Sequence, residues 1–186
     1  MKKIFMMAVM AVAALTANAQ NAEGQITLMP KAGINISSIT NSDGTKAKVG
    51  FVGGVEAEYG LPSNFSVSAG VLFSMQGAKA KEGDAKMKYN YLNIPILCNY
   101  YVWQGLAVKA GIQPGFLVGA KHDGNSFSDG CKKFDFAIPV GLSYEISNVV
   151  FDARYNIGLT KTAKGDNVEK TKNSVFQFTV GYKFAL

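Results

Sequence analysis

Apolar side chains recur at every second position in eight segments of the chain, and polar or small side chains fill the positions between them. The third segment, for example, sets Phe65, Val67 and Ala69 against Ser66 and Ser68. Because successive side chains of a β-strand point to opposite faces, this alternation predicts strands with one apolar and one polar face. No segment shows the period of about 3.6 residues that a helix needs. The segments cover residues 26–37, 49–61, 65–76, 92–102, 106–118, 134–146, 149–160 and 176–184.

The connectors between these segments alternate in length. Three are short and four are long: residues 62–64, 103–105 and 147–148 against residues 38–48, 80–88, 120–133 and 161–172. Tight turns at one end and longer loops at the other are typical of bacterial transmembrane β-barrels. An even number of strands puts both termini at the short-turn end, where the first and last strands can pair. The sequence therefore predicts an all-β fold, an eight-stranded antiparallel up-and-down transmembrane β-barrel.

The alternation alone leaves open whether the apolar face points into the barrel or away from it. A soluble lipocalin-like barrel places this face inward around a ligand, whereas a membrane barrel places it against lipid. The polar face favours the membrane, because it consists mainly of Gly, Ser, Asn, Thr and Gln rather than of Lys and Glu. An exported soluble ligand-binding barrel is the alternative. Five tyrosines of the apolar face suit the aromatic girdles of membrane barrels: Tyr59, Tyr100, Tyr144, Tyr155 and Tyr182.

Charged side chains on the polar face are few, and we expect them to form a buried ion network in the lumen. Four are positive and five are negative, so their charges nearly cancel. The interior of an eight-stranded barrel is just wide enough for side chains to fill it, which ranks a small porin second. The predicted network comprises Lys31, Glu56, Glu58, Lys109, Asp135, Glu145, Asp152, Arg154 and Lys183.

Residues 1–19 have the features of a cleaved signal peptide. Lys2 and Lys3 precede an apolar run over 4–15, and Ala17-Asn18-Ala19 supplies the small residues of a cleavage site. The run is too short for a membrane-spanning helix, which needs about 20 residues. The sequence therefore predicts export and a mature β-barrel domain over 20–186, located in the outer membrane.

Most of the other charges crowd into or beside the four long connectors. Thirteen lysines lie there against seven acidic residues, whereas the short turns carry no charge. A basic rim of this kind would attract the phosphate groups of lipopolysaccharide or another anionic surface, although solvation of flexible loops explains the same residues. The lysines are Lys46, Lys48, Lys79, Lys81, Lys86, Lys88, Lys121, Lys132, Lys133, Lys161, Lys164, Lys170 and Lys172.

Few residues suit catalysis or metal binding. The only histidine belongs to a polar group in the third long connector that could arrange a nucleophile and a base: His122, Asp123, Ser126, Ser128 and Asp129. A hydrophilic loop explains the same residues, so we expect a non-enzymatic protein without a metal or cofactor. The net charge of +6 does not indicate nucleic-acid binding, because the chain is exported and lacks interleaved aromatic and basic residues.

The two cysteines are expected to be free thiols. Cys98 belongs to the lipid-facing side of the fourth segment, near the short-turn end, and Cys131 lies in a long connector at the opposite end. The height of the barrel separates them by more than a disulfide allows.

Three prolines lie inside neighbouring strand segments. Pro95, Pro114 and Pro139 are at similar distances from the short turns of the fourth, fifth and sixth segments. Proline has no N–H group to donate to the strand ladder. We therefore expect a belt of β-bulges or missing hydrogen bonds on this part of the wall.

Four stretches of the chain carry a family resemblance: YLNIPILCNYY (Tyr91–Tyr101), FDFAIPVGLSYEI (Phe134–Ile146), FDARYNIGLT (Phe151–Thr160) and VFQFTVGYKF (Val175–Phe184). They resemble the PorT-like outer-membrane β-barrel family of Gram-negative bacteria, over nearly the whole mature chain. The resemblance implies an eight-stranded barrel that barrel-insertion machinery places in outer-membrane lipid. It permits roles in envelope integrity, surface interaction or the assembly of secretion machinery with other envelope proteins.

Overall fold

The structure is a computed structural model that describes residues 23–40, 45–80, 86–122, 125–126, 134–161 and 172–186. Within these ranges, no helix is long and apolar enough to cross a membrane. The described residues form strands β1 (Ile26–Thr40), β2 (Thr45–Gly60), β3 (Phe65–Ala80), β4 (Lys86–Asn93), β5 (Ile96–Trp103), β6 (Leu106–His122), β7 (Asn125–Ser126), β8 (Phe134–Ile146), β9 (Val149–Lys161), β10 (Lys172–Tyr182) and β11 (Phe184–Ala185).

These strands build a closed wall with eight strand positions, which confirms the predicted fold. β4 and β5 are two halves of one position, since both lie between β3 and β6. β11 continues β10 beyond Lys183, and both pair with β1. β7 pairs with the end of β6 alone. All neighbours are antiparallel, and the pairing of β1 with β10, from Lys31↔Gly181 to Thr40↔Lys172, closes the barrel.

The two ends of the barrel differ in how the chain reverses. At one end, three tight turns contain residues with positive φ angles: Ser63, Asn64, Gly105 and Ser147 at 61°, 65°, 79° and 55°. At the other end, the strands extend beyond the predicted segments, so the boundaries predicted for the long connectors are wrong. β6, for example, continues to His122. Backbone pairing holds these extensions together, and it needs no apolar alternation to do so.

The apolar face of the sheet points outward and the polar face fills the interior. Phe51 and Phe178 are 49% and 43% exposed, whereas Glu56 and Arg154 are 0% and 1% exposed. An apolar surface that surrounds the whole wall fits hydrocarbon and does not fit water. The soluble lipocalin-like alternative is therefore wrong, because it requires the opposite orientation.

Four of the five predicted girdle tyrosines lie near the short-turn end and are exposed on the outer surface. They are Tyr59, Tyr100, Tyr144 and Tyr182. Tyr155 is also exposed, but it lies midway along β9, opposite Val140 of β8. The structure thus shows an aromatic girdle at this end, and Tyr155 does not belong to it.

The expected irregularity at the three prolines consists of missing ladder pairs rather than inserted residues. Ile94 and Pro95 separate β4 from β5, which keep the same register against β6 on both sides of the break. The ladder between β6 and β8 lacks partners for residues 111–112 and 138–139, beside Pro114 and Pro139. The strands keep the same register on both sides of each gap, so of the two expected forms, β-bulges or missing hydrogen bonds, the structure shows missing ladder pairs and no β-bulge at these prolines.

Candidate functional site in the barrel lumen

Five charged side chains meet in the middle of the lumen, and we call them the central cluster. Arg154 Nη2 lies 2.9 Å from Glu56 Oε1, and Arg154 Nε lies 2.6 Å from Asp152 Oδ1. Lys31 Nζ lies 3.2 Å from Glu56 Oε2 and 3.5 Å from Asp152 Oδ2. Lys109 Nζ lies 3.3 Å from Asp152 Oδ2. The members come from β1, β2, β6 and β9, so the cluster bridges opposite sides of the barrel.

Glycine in the wall makes room for this cluster. Gly141 of β8 is the register partner of Arg154. A Cβ atom at position 141 would lie 2.9 Å from Cα and 3.1 Å from Cγ of Arg154, closer than ordinary van der Waals contact. Glycine at this position therefore leaves the space that the base of the arginine side chain occupies.

A second group of charges, the end cluster, lies near the short-turn end of the lumen. Lys183 Nζ is 2.7 Å from Glu145 Oε2 and 3.3 Å from Glu58 Oε2. The hydroxyls of Tyr101 and Ser66 donate to Glu58 Oε1 over 2.6 and 2.5 Å. Lys183 Nζ also donates to the Tyr101 hydroxyl over 3.2 Å. Carboxylates buried here are thus satisfied by both charged and neutral donors.

The two clusters carry opposite net charges. The central cluster has three cations and two carboxylates, whereas the end cluster has one cation and two carboxylates. A buried charge needs a partner and further hydrogen bonds to offset its desolvation. The clusters neutralise each other as a pair, which agrees with the near balance of charges along the polar face.

Asp135 does not belong to either cluster, so the prediction that it is part of the ion network is wrong. It accepts hydrogen bonds from Thr160 Oγ1 and from the Phe136 N–H group, the latter over 3.0 Å. Its partner on β6 is Gly115, which brings no charge. Asp135 forms no ion pair with any residue of the described ranges. It is therefore a half-buried, hydrogen-bonded carboxylate toward the long-loop end.

Polar side chains fill the lumen between the central cluster and the long-loop end. Asn35 Nδ2 donates to Ser74 Oγ over 2.7 Å, and Ser37 Oγ donates to the Gly77 carbonyl over 2.8 Å. Lys48, predicted to belong to the exposed basic rim, is 9% exposed and donates to the Gln76 carbonyl over 3.1 Å. That prediction is wrong because β2 extends past Lys48 and turns its side chain inward.

The other predicted rim lysines fall into two groups. Seven lie on strands rather than in loops: Lys46, Lys79, Lys86, Lys88, Lys121, Lys161 and Lys172. Five lie outside the described residues: Lys81, Lys132, Lys133, Lys164 and Lys170.

The structure describes only part of the predicted nucleophile–base group. His122 ends β6 and Ser126 lies on β7, whereas Asp123, Ser128 and Asp129 lie outside the described residues. No group of three or more His, Cys, Asp or Glu residues in the described ranges is arranged to hold a metal ion. Cys98 is an exposed free thiol on the outer surface, and Cys131 lies outside the described residues.

Sequence reasoning placed Ser66 on the polar face, but it did not assign Ser66 or Tyr101 to the end cluster. Tyr101 and Ser66 share the alternation of the lumen-facing residues Asn99 and Ser68 on their own strands. Their position in the alternation was therefore a usable signal. The alternation does not predict the register between strands, and it is this register that brings both hydroxyls to Glu58.

Solved structures with a similar fold include outer-membrane proteins. Ail, the attachment invasion locus protein of Yersinia pestis, matches with a TM-score of 0.56 and 20% identity over 88% of this chain and 100% of its own. Ail in complex with the heparin analogue sucrose octasulfate gives a TM-score of 0.55 and 17% identity over 88% and 100% of the two chains. OprG of Pseudomonas aeruginosa gives a TM-score of 0.53 and 15% identity over 91% and 99%.

The similarity to these structures establishes the fold alone, because the identities are low. Among curated protein sequences, none matches the chain. The model of the outer membrane protein beta-barrel domain matches residues 5–184. With its outward apolar belt and closed eight-position wall, the chain belongs to the outer membrane protein beta-barrel domain family and is located in the outer membrane.

Proposed function

We propose that this outer-membrane barrel is a non-enzymatic, non-conducting envelope protein whose long loops make its contacts. The observation that carries the proposal is the central cluster, which joins four strands across the lumen. Its side chains are at most 2% exposed, so it occupies the path that an ion or solute would take. An eight-stranded barrel has little interior space beyond such side chains. These features favour a plugged barrel over the small porin.

Planar-bilayer recording tests the plugged lumen. The wild-type protein should show no stable open channel, because the central cluster holds its charges together across the lumen. The variant Lys31→Ala/Glu56→Ala removes one cation and one anion and should conduct measurably. Ile34→Ala/Phe51→Ala, a cross-strand pair on the outer face of the same two strands, should remain closed. A large, stable wild-type channel would contradict the proposal.

The charge of the long loops supports surface interaction as the envelope role. Without the buried Lys48, twelve lysines remain in or beside the long connectors against seven acidic residues. The complex of Ail with sucrose octasulfate concerns a barrel of the same fold that binds a polyanion. By analogy, the basic rim of this chain contacts anionic groups such as the phosphates of lipopolysaccharide.

Lipopolysaccharide binding by the protein in nanodiscs tests this role. Replacing four lysines of the long connectors, Lys132, Lys133, Lys164 and Lys170, by Gln should weaken binding and reduce its dependence on salt. The opposite control, Asp123→Asn/Asp129→Asn, makes the rim more positive and should strengthen binding. Equal binding by all three proteins would exclude the rim as the contact surface.

We also propose three finer points. The chain belongs to the PorT-like group, it is cleaved after Ala19, and it takes part in the assembly of secretion machinery. The resemblance of the four stretches supports the first, and the A-x-A pattern supports the second. Mass spectrometry of the protein from native membranes should find a mature N-terminus at Gln20. Crosslinking before purification should recover envelope proteins with it if assembly is its role, and lipid alone if it is not.

A further inference from the structure

A cavity of about 650 Å³ opens at the short-turn end of the barrel, next to the end cluster. In outer-membrane barrels this end faces the periplasm. Its volume is within the range of small-molecule sites. Aromatic side chains and carboxylates share the lining, among them Phe65, Tyr101, Trp103, Tyr144, Glu23 and Glu145.

Glu145, which lines this cavity, has one carboxylate oxygen without a hydrogen-bond donor in the described part of the chain. Its Oε2 atom pairs with Lys183, but its Oε1 atom accepts no hydrogen bond from any residue in the described part of the chain. The Glu145 side chain is only 10% exposed. A carboxylate oxygen that is buried without a donor costs free energy, which a donor with a positive charge would recover.

The charges around the cavity select the sign of the ligand. Glu58 and Glu145 share the ammonium group of Lys183, and Glu23 adds another carboxylate at the lining. The local net charge is therefore negative, so an anion is repelled and a cation is attracted. This is the reverse of the basic rim at the opposite end of the barrel.

The aromatic lining selects the kind of cation. Trp103 is 77% exposed, and the faces of Trp and Tyr rings attract organic cations. A hard metal ion would instead require several oxygen ligands. We propose that this cavity binds a small organic primary amine, with its ammonium group at Glu145 and its carbon chain against Trp103. This site is separate from the loop contacts and from the plugged lumen proposed above.

Isothermal titration calorimetry of the full barrel in nanodiscs at low salt tests the ligand class. Hexane-1,6-diamine should bind with a saturable heat. Hexane-1,6-diol has the same length without charge, and adipate has the opposite charge, so neither should bind. Absence of saturable diamine binding, or equal binding of the diol, would overturn the proposal.

Two variants test the site. Glu145→Gln keeps the side-chain shape and removes its charge, so diamine affinity should fall at least about tenfold. Trp103→Leu removes the exposed ring and should lower affinity about threefold. Asp135→Asn, toward the long-loop end, is the matched control and should bind as the wild type does.

Folding of each variant is checked by the difference in gel migration between heated and unheated protein. If Glu145→Gln does not fold, Trp103→Leu decides the question, because its exposed side chain supports little of the core. If Glu145→Gln folds and binds the diamine with wild-type affinity, the assignment is overturned. If Glu145→Gln does not fold, wild-type affinity of Trp103→Leu overturns it instead.

Discussion

The central and end clusters use the same chemistry in different surroundings. In the central cluster, both carboxylates are shared among three cations, and all five side chains are at most 2% exposed. In the end cluster, one lysine serves two carboxylates, and Glu145 lines an open cavity. We propose that the first arrangement closes the lumen and that the second leaves an acceptor for a ligand. On this account, a buried charge that is surrounded by partners supports the barrel, and a buried charge with fewer partners forms a binding site.

The largest loss of stability is expected from Arg154→Met. This change leaves Glu56 and Asp152 without the guanidinium that joins them, and breaking a buried ion pair costs about 3–5 kcal/mol. Urea unfolding in lipid vesicles, followed by the fluorescence of the only tryptophan, Trp103, measures the free energy of unfolding. Thr179→Val is a matched lumen control, because the Thr179 hydroxyl has no hydrogen-bond partner among the described residues. Equal stability of the two variants would show that the central cluster does not stabilise the barrel.

A smaller loss is expected from Lys183→Met. Glu58 keeps its bonds from Tyr101 and Ser66, and Glu145 lines the open cavity with a side chain that is 10% exposed. Leaving a partly solvated charge without its cation costs about 1–3 kcal/mol. The same urea experiment measures it. If Lys183→Met destabilises the barrel as much as Arg154→Met, the contrast between the two clusters is wrong.

The smallest loss is expected from Asp135→Asn. The amide oxygen of asparagine can still accept from Thr160 Oγ1 and from the Phe136 N–H group, so the free energy of unfolding should change by less than about 1 kcal/mol. Thr160→Val removes the donor instead and should cost more, because it leaves the carboxylate with the backbone bond alone. If Asp135→Asn lowers the free energy of unfolding more than Lys183→Met does, Asp135 belongs to the ion network after all.

The sequence predicted the wall better than the contacts inside it. Alternation places Lys31, Glu56 and Arg154 on one face without any knowledge of the fold, because a strand has only two faces. It does not show that Asp135 lacks a cation, since that depends on which residues its neighbouring strands bring opposite it. Lys48 has the same position in the alternation as Glu56, which predicts that its side chain points inward. We did not apply the alternation to Lys48 because we had assigned it to a loop.

The lumen contacts depend on register, which a single sequence does not specify. Lys31 lies opposite Gly54 on β2, and its carboxylate partner Glu56 is therefore a diagonal neighbour. A shift of one residue would turn every side chain of one strand to the other face. The cavity at the short-turn end is even harder to predict from the sequence than the register, because turns between several strands form it together.

The position of the two faces is the central claim, and site-directed nitroxide labelling tests it most directly. In a background with Cys98 and Cys131 replaced by Ser, single cysteines are introduced at each position from Phe176 to Val180 of β10, and the protein is placed in lipid vesicles. The account predicts an alternation of period two. Labels at Phe176, Phe178 and Val180 should collide with oxygen dissolved in lipid, and labels at Gln177 and Thr179 should be immobile and shielded. Strong collision of the labels at 176, 178 and 180 with a water-soluble nickel complex would contradict the account.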